Sequence, residues 1–245
     1  MTQPFTLLQL SDLHLSADLS AQYRGQNADA NLESLLPACR LLAPGGLILS
    51  GDVSEDGSAE SYRRALHLTK DLAPLTGWIP GNHDVRDVMG EIFEPAGFAS
   101  GPVLEWGQWQ IALLDSAMPG RPEGQLDEAR LAPLKSLSGE RPAMVFVHHQ
   151  PVAVGSPWID KYPLKEPDRL WAQLNPATVK MVAFGHVHQA FSGEHGGVAC
   201  LSGPSTVANS QPGSPRFTLD PTGPKARWFR LWPEGRWLSG IVSAG

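Results

Sequence analysis

The chain is poor in cysteine. Only Cys39 and Cys200 occur among 245 residues, and neither sits in a CxxC pair or a zinc-finger spacing. That argues against a disulfide-stapled scaffold or a thiolate metal site and points to two buried thiols in a reducing compartment. Long apolar runs are missing too, since no stretch approaches the ~20 apolar residues of a membrane span. The opening "MTQPFTLLQLSD" carries no basic segment ahead of its short apolar run, unlike a signal peptide. A basic surplus is also absent: 19 Lys and Arg against 25 Asp and Glu leave a net charge of −6. A surface of that sign does not favour DNA or another polyanion. No internal repeat and no low-complexity linker interrupts the chain. The expectation is a soluble cytoplasmic protein with no nucleic-acid or membrane partner, its oligomeric state open.

What is present is core-forming material. At 42% hydrophobic, the length suits one large domain over 1–245. Short apolar runs recur and each ends in polar residues: "FTLLQLSD", "GLILSGD", "GWIPGNHD", "WQIALLDS", "AMVFVHHQ" and "VKMVAFGHVH". Their length and β-branched content predict buried strands. Helical patterns lie between several of them, at 27–43 (interrupted by Pro37), 58–73 with Ser58 as N-cap, 125–137 and 165–174. Alternating strands and helices predict α/β architecture. From about residue 196 the texture becomes β-rich. There "GVACLSG", "RFTLD", "ARWFRLWP" and "GRWLSGIV" read as short antiparallel strands joined by Gly/Pro turns. Trp228, Trp232 and Trp237 in that region read as core and edge packing.

Nearly every chemically useful polar residue falls just past the end of an apolar run, where sites form in α/β sheets. Asp12 and His14 in "SDLHL" are two apart, and in extended chain both would point to one side. Asp52 follows "LILSG", with Gly51 permitting a sharp turn before it. In "IPGNHD", Pro80 and Gly81 break the strand and present Asn82, His83 and Asp84 in a row. His149 lies in "VFVHHQP", and His186 and His188 in "FGHVHQ". Asp12, His14, Asp52, Asn82, His149, His186 and His188 make a mixed nitrogen and oxygen set that suits zinc, iron or manganese. Seven donors exceed what one ion accepts, whereas one shared carboxylate makes two sets of four.

In this order and with these gaps, "DLH", "GD", "GNHD", "HHQP" and "GHVH" resemble the calcineurin-like metallophosphoesterase superfamily. Together with "GDVSEDGSAESYRR", "WQIALLDS", "GSPWIDKYPL" and "GPSTV", they look like the bacterial class III cyclic-nucleotide phosphodiesterases, over about residues 5 to 235. The resemblance implies two mixed β-sheets packed as a sandwich and flanked by α-helices. It implies two metal ions per chain, iron, manganese or zinc. Asp12, His14 and His188 would hold the first ion, and Asn82, His149 and His186 the second, with Asp52 bridging. His149 is preferred to His148 because the superfamily ligand resembles an H-x-P pattern, which leaves His148 behind it.

The implied reaction is hydrolysis of 3′,5′-cyclic AMP to 5′-AMP by a metal-bridging hydroxide, with His14, Asp52, Asn82, His83 and His188 in substrate contact. Two divalent ions bring roughly four positive charges, and Asp12, Asp52 and hydroxide remove about three. Roughly one remains to match a phosphodiester anion. His83 is expected to give a proton to the leaving alkoxide, with Asp84 holding its ring. A different diester is the rival substrate: a 2′,3′-cyclic nucleotide, a glycerophosphodiester or a nucleotide-lipid pyrophosphate. A protein-binding scaffold on the same fold would have lost ligands or His83, and none is lost. The chain departs from its relatives at Gln150, and at Lys165 and Glu166 after Leu164, where an acidic Glu166 near a phosphodiester would be unhelpful. Arg24, Asn27 and Trp158 lie in loops able to face a nucleoside. His67 and His195 read as surface or packing residues.

Overall fold

The computed structural model describes residues 3–245. Its strands are β1 Phe5–Leu10, β2 Gly46–Ser50, β3 Leu75–Ile79, β4 Val103–Trp106, β5 Trp109–Leu114, β6 Gly124–Gln125 and β7 Ala143–Val147. They continue with β8 Leu164–Lys165, β9 Val179–Phe184, β10 Phe191–His195, β11 Val198–Ser202, β12 Lys225–Leu231 and β13 Trp237–Ser243. The helices are α1 Ala28–Leu41, α2 Ala59–Thr69, α3 Arg86–Phe93, α4 Glu128–Leu131, α5 Pro157–Asp160 and α6 Asp168–Trp171. One sheet has the order β13-β12-β1-β2-β3 and the other β10-β11-β9-β7-β5-β4, while β6 and β8 form a small ribbon. Both large sheets are mixed. In the first, β1, β2 and β3 run parallel, β12 runs antiparallel to β1 and β13 antiparallel to β12; in the second, β5, β7, β9 and β11 run parallel, edged by antiparallel β4 and β10.

The alternation of side chains along each strand decides the layering. On β1, Leu7 joins Ile48, Ile79, Phe229 and Leu231 between the sheets. Leu8 and Leu10 turn the other way, into a cluster with Leu32, Leu35 and Cys39 of α1 and Tyr62 of α2. On β7, Met144 and Phe146 face inward, whereas Ala143, Val145 and Val147 pack outward with Leu131 and Leu170. Phe146 meets Phe229 of the opposite sheet edge-on, with centroids 6.3 Å apart. Each fully buried side chain of this kind contributes about 1.5–3 kcal/mol.

Sequence expectations change at this level, and one helix had no counterpart among them. The 27–43 helix runs straight through Pro37 to Leu41, because Leu36 and Cys39 on either side of the proline anchor it to the core. "RFTLD" forms no strand; only one bridge joins Ser210 to Leu219. Helix α3 carries no side-chain cap and an internal Gly90, which is why its pattern does not stand out.

The β-rich tail does not form a sheet of its own. Strand β11 joins the second sheet, and β12 and β13 extend the first. Arg227 of β12 ties the two together: Nε donates to the Ser202 carbonyl at 2.6 Å, and Nη2 to the Phe191 carbonyl at 2.9 Å. Burial lowers its pKa to about 10, so it stays charged at neutral pH. Arg227→Met leaves two carbonyls bare at about 1–3 kcal/mol each. The melting temperature should fall by about 4 °C or more, read by thermal unfolding.

Candidate active site

The parallel strands of both sheets end on one edge of the sandwich, and the loops that leave them supply the polar groups. Asp12 and His14 follow β1, Asp52 follows β2, and Asn82 and His83 follow β3. His148 and His149 follow β7, and His186 and His188 follow β9. Asp12 and His14 converge, but not through an extended chain. Their φ angles are 53° and 46°, and Asp52, His186 and His188 are likewise left-handed at 50°, 67° and 48°. Such a conformation costs of order 1–3 kcal/mol per non-glycine residue and collects at functional sites. Gly81 is required for a different reason: a Cβ there would collide with the backbone nitrogen and carboxylate of Asp52.

Two sets of donors face one another. His14 Nε2 lies 3.2 Å from His188 Nε2, and His188 Nε2 lies 3.3 Å from Asp12 Oδ1. Asp52 Oδ2 stands between the sets, 3.8 Å from His14 Nε2 and 3.4 Å from His148 Nε2. Donor atoms of Asp12, His14 and His188 lie within 4.8 Å of one another, as do those of Asp12, Asp52 and His148, and of His148, His149 and His186. The far sides of the rings are anchored. His188 Nδ1 donates to the Ala208 carbonyl at 2.7 Å, and His148 Nδ1 to the Ser50 carbonyl at 2.8 Å. Each inward Nε2 is therefore a bare lone pair in the neutral tautomer. His148 Nε2, His149 Nε2 and Asn82 Oδ1 are buried without a hydrogen-bond partner among the described residues. Buried, unpaired acceptors pointing at one another are costly unless a cation lies among them. The donor set fits a dinuclear metal centre.

The adjacent histidines both belong to a candidate donor cluster, with different partners. His148 faces Asp52 across the sandwich. His149 Nδ1 pairs with Ser116 Oγ at 2.7 Å, and its ring centre lies 4.7 Å from that of His186. The parity of β7 is the signal: Met144 and Phe146 point between the sheets, and the next residue in that series is His148.

Asp84 does not hold the His83 ring, contrary to expectation. Its carboxylate accepts from the backbone nitrogens of Gly81, Val53 and Ser54 at 2.9, 3.2 and 2.9 Å, and from the Tyr62 hydroxyl at 3.1 Å. It clasps the β2 and β3 loops together. Burial, and then the charge of Asp52, raise its pKa to about 6. The group that reaches His83 is Glu55, which nothing in the sequence singled out. Its Oε2 lies 3.1 Å from His83 Nδ1 and 2.7 Å from His14 Nδ1. Burial favours neutral forms, but hydrogen bonds prevail: the one to Glu55 raises His83 to about 9, and those to His14 and then His83 lower Glu55 to about 2. Burial also opposes ionisation of Asp12, yet His188 beside it brings that carboxyl down to about 2.

Above these groups lies a cleft of about 370 Å³, lined by Asp52, Asn82, His83, His186 and His188 on its floor and by Tyr23, Trp158 and Phe217 on one wall. Tyr23 stacks on His14 with centroids 3.8 Å apart. Arg24 stands at the rim with its guanidinium 4.1 Å from the Phe217 ring centre. Trp158 and Arg24 thus face the cleft, as expected. Asn27 does not; it caps α1 by accepting from Ala30 N at 2.8 Å. Glu166 is exposed and turned toward Arg169, away from the cleft. His67 lies exposed on α2, and exposed His195 stacks on Trp171.

A cleft floored by two converging donor sets at the strand-end edge of a two-sheet sandwich defines a metal-dependent phosphoesterase. The chain belongs to the calcineurin-like phosphoesterase family, whose model matches residues 5–190. It is 38% identical over 241 residues to the 3′,5′-cyclic adenosine monophosphate phosphodiesterase CpdA of Pseudomonas aeruginosa, covering 96% of this chain and 88% of that one. It is 31% identical to a 3′,5′-cyclic-nucleotide phosphodiesterase of Nostoc, covering 97% and 92%. Among solved structures, a dimetal phosphatase from Danio rerio superposes with a TM-score of 0.66 at 11% identity, over 100% of both chains. TT1561 of Thermus thermophilus gives 0.62 at 14% identity, over 98% and 99%. At those identities the likeness is one of fold.

Proposed function

We propose that this chain hydrolyses 3′,5′-cyclic AMP to 5′-AMP in the cytoplasm, as one domain over 1–245, with two ions drawn from iron, manganese and zinc. The observation that carries the reading is the pair of inward-facing donor sets joined by Asp52 beneath a nucleotide-sized cleft. The activity of the named relatives supports the substrate. The pairing of β12 with β1 supports a single domain. The net charge of −6 supports a small-molecule partner rather than a polyanion. No helix among the described residues is long and apolar enough to cross a membrane.

Asp12, His14 and His188 would hold one ion, Asn82, His148 and His186 the other, and Asp52 both. His148 is assigned in preference to His149 because its Nε2 faces Asp52 Oδ2 at 3.4 Å. When bound, the ions supply positive charge for the phosphoryl oxygens and acidity for the attacking water. The protein does the rest. The His83 backbone nitrogen donates to Asp52 Oδ1 at 2.9 Å, which fixes the start of the His83 side chain beside the floor of the cleft. Glu55 occupies His83 Nδ1, so Nε2 gives the proton to the departing O3′. Tyr23, Trp158 and Phe217 provide flat surfaces for the adenine.

Two measurements test this. A panel of cyclic AMP, a 2′,3′-cyclic nucleotide, a glycerophosphodiester and a nucleotide-lipid pyrophosphate should give the highest kcat/KM for cyclic AMP. If cyclic AMP trails any of them by a hundredfold, the substrate assignment fails. His148→Ala should lose one of two ions per chain by elemental analysis, whereas His149→Ala should keep both. The reverse result would restore His149 as the ligand.

A further inference from the structure

Cyclic AMP leaves part of this cleft without a counterpart. Its single negative charge belongs over the donor sets on the floor, and its adenine and ribose carry none. Yet Arg24, Lys161 and Arg216 stand exposed at the rim of the same cleft. They come from separate segments: Arg24 from the loop between β1 and α1, Lys161 from the end of α5, and Arg216 from the loop between β11 and β12. Among the described residues none of the three has a carboxylate partner, and Asp52 on the floor is the one acid in the lining. Other exposed lysines are paired, as Lys165 is with Glu123 at 2.7 Å and Lys135 with Glu128 at 3.6 Å. Three unpaired cations around one opening are a local surplus in a chain of net charge −6.

The backbone at Arg24 is built to hold it there. Tyr23 N donates to the Gln26 carbonyl and Gln26 N to the Tyr23 carbonyl, both at 2.9 Å, which closes a two-residue hairpin. Its central residues are left-handed, Arg24 at φ 49° and Gly25 at φ 78°. That is the pattern of a type I′ turn, whose first central position favours Asn, Asp or Gly. Arginine there carries backbone strain. Its guanidinium carbon lies 4.1 Å from the ring centre of Phe217, 5.4 Å from that of Tyr23 and 5.5 Å from that of Trp158. Nε donates to the Tyr23 hydroxyl at 3.2 Å, and neither terminal nitrogen donates to a protein group among the described residues. A guanidinium positioned by aromatic rings rather than by a carboxylate, with its two terminal nitrogens free, is a fork ready for a phosphate.

We propose that Arg24, together with Lys161 and Arg216, forms a second anion site at the rim, which binds a phosphate group other than the one over the metal donors. The ligand class is a nucleotide carrying two separate phosphates. One phosphate sits over the floor and the other takes the Arg24 fork, so such a nucleotide competes with the substrate for the cleft. The inference rests on the proposed phosphodiesterase reading, in which the floor takes one phosphate.

The test is calorimetric titration of the zinc-loaded full chain with adenosine 3′,5′-bisphosphate and with 5′-AMP. The bisphosphate should bind at least tenfold more tightly than 5′-AMP. In Arg24→Asn that advantage should fall to threefold or less. Asparagine suits the turn, so this variant should melt no lower than the parent. Arg24→Lys, which keeps the charge and loses the fork, should fall between the two. Lys161→Gln and Arg216→Gln should each cut the advantage at least twofold. A bisphosphate that binds no more tightly than 5′-AMP, or an advantage undiminished in all the variants, overturns the inference. So does equal weakening of both ligands in Arg24→Asn, because the rim would then only draw anions in. Parent protein that shows the expected advantage but does not hydrolyse cyclic AMP would count against the phosphodiesterase reading and leave the second anion site standing.

Discussion

Asp52→Ala protein should contain less than one ion per chain where the parent contains two, and its kcat should fall by more than the roughly 10²–10³-fold that follows loss of a single stabilising donor. Asp52 is the group both donor sets share. It lies 3.8 Å from His14 Nε2 and 3.4 Å from His148 Nε2, and it accepts the His83 backbone N–H at 2.9 Å. Asp52→Asn separates charge from shape, since the amide can keep the His83 contact but not the negative charge between the ions. Elemental analysis decides the matter: two ions per chain in either folded variant would show that Asp52 does not bridge.

His83→Ala should behave differently. Metal content should stay at the parent value, because His83 Nδ1 is occupied by Glu55 and the ring stands beside the proposed ligands. Hydrolysis of cyclic AMP should slow by about 10²–10⁴-fold, the usual contribution of a positioned acid. Bis(4-nitrophenyl) phosphate should slow far less, because nitrophenolate leaves without needing a proton. Glu55→Gln should fall between parent and His83→Ala on cyclic AMP, since the neutral amide holds the ring more weakly. Equal slowing of both substrates in His83→Ala would show that the ring binds phosphate without donating a proton.

The framework was legible because its signals are local. Each buried strand is a short apolar run, and each run ends in the loop that carries a polar group, so β1, β2, β3, β7 and β9 announced both themselves and the site. What was not legible depends on direction and distance. "HHQP" places two imidazoles side by side, and only the inward parity of Met144 and Phe146 says which one crosses the sandwich. Asp84 adjoins His83 in the chain but is drawn inward by three backbone nitrogens and Tyr62, partners 3 to 31 positions away. Glu55 acts on His83 from 28 residues upstream, through a fold that no spacing rule encodes. The left-handed turns at Asp12 and His14 replace the extended geometry that a DxH spacing suggests.

The seven proposed donors come from opposite halves of the molecule, Asp12, His14, Asp52 and Asn82 from one sheet and His148, His186 and His188 from the other. Ions held there act as rivets across the interface. Whatever binds the native state but not the unfolded chain stabilises it by RT ln(1 + [L]/Kd), about 2.7 kcal/mol at a hundredfold excess over Kd. Scarcity of metal would therefore weaken the grip of one half on the other as well as silence the chemistry, and turnover of the polypeptide itself would come under the control of the cell's metal supply.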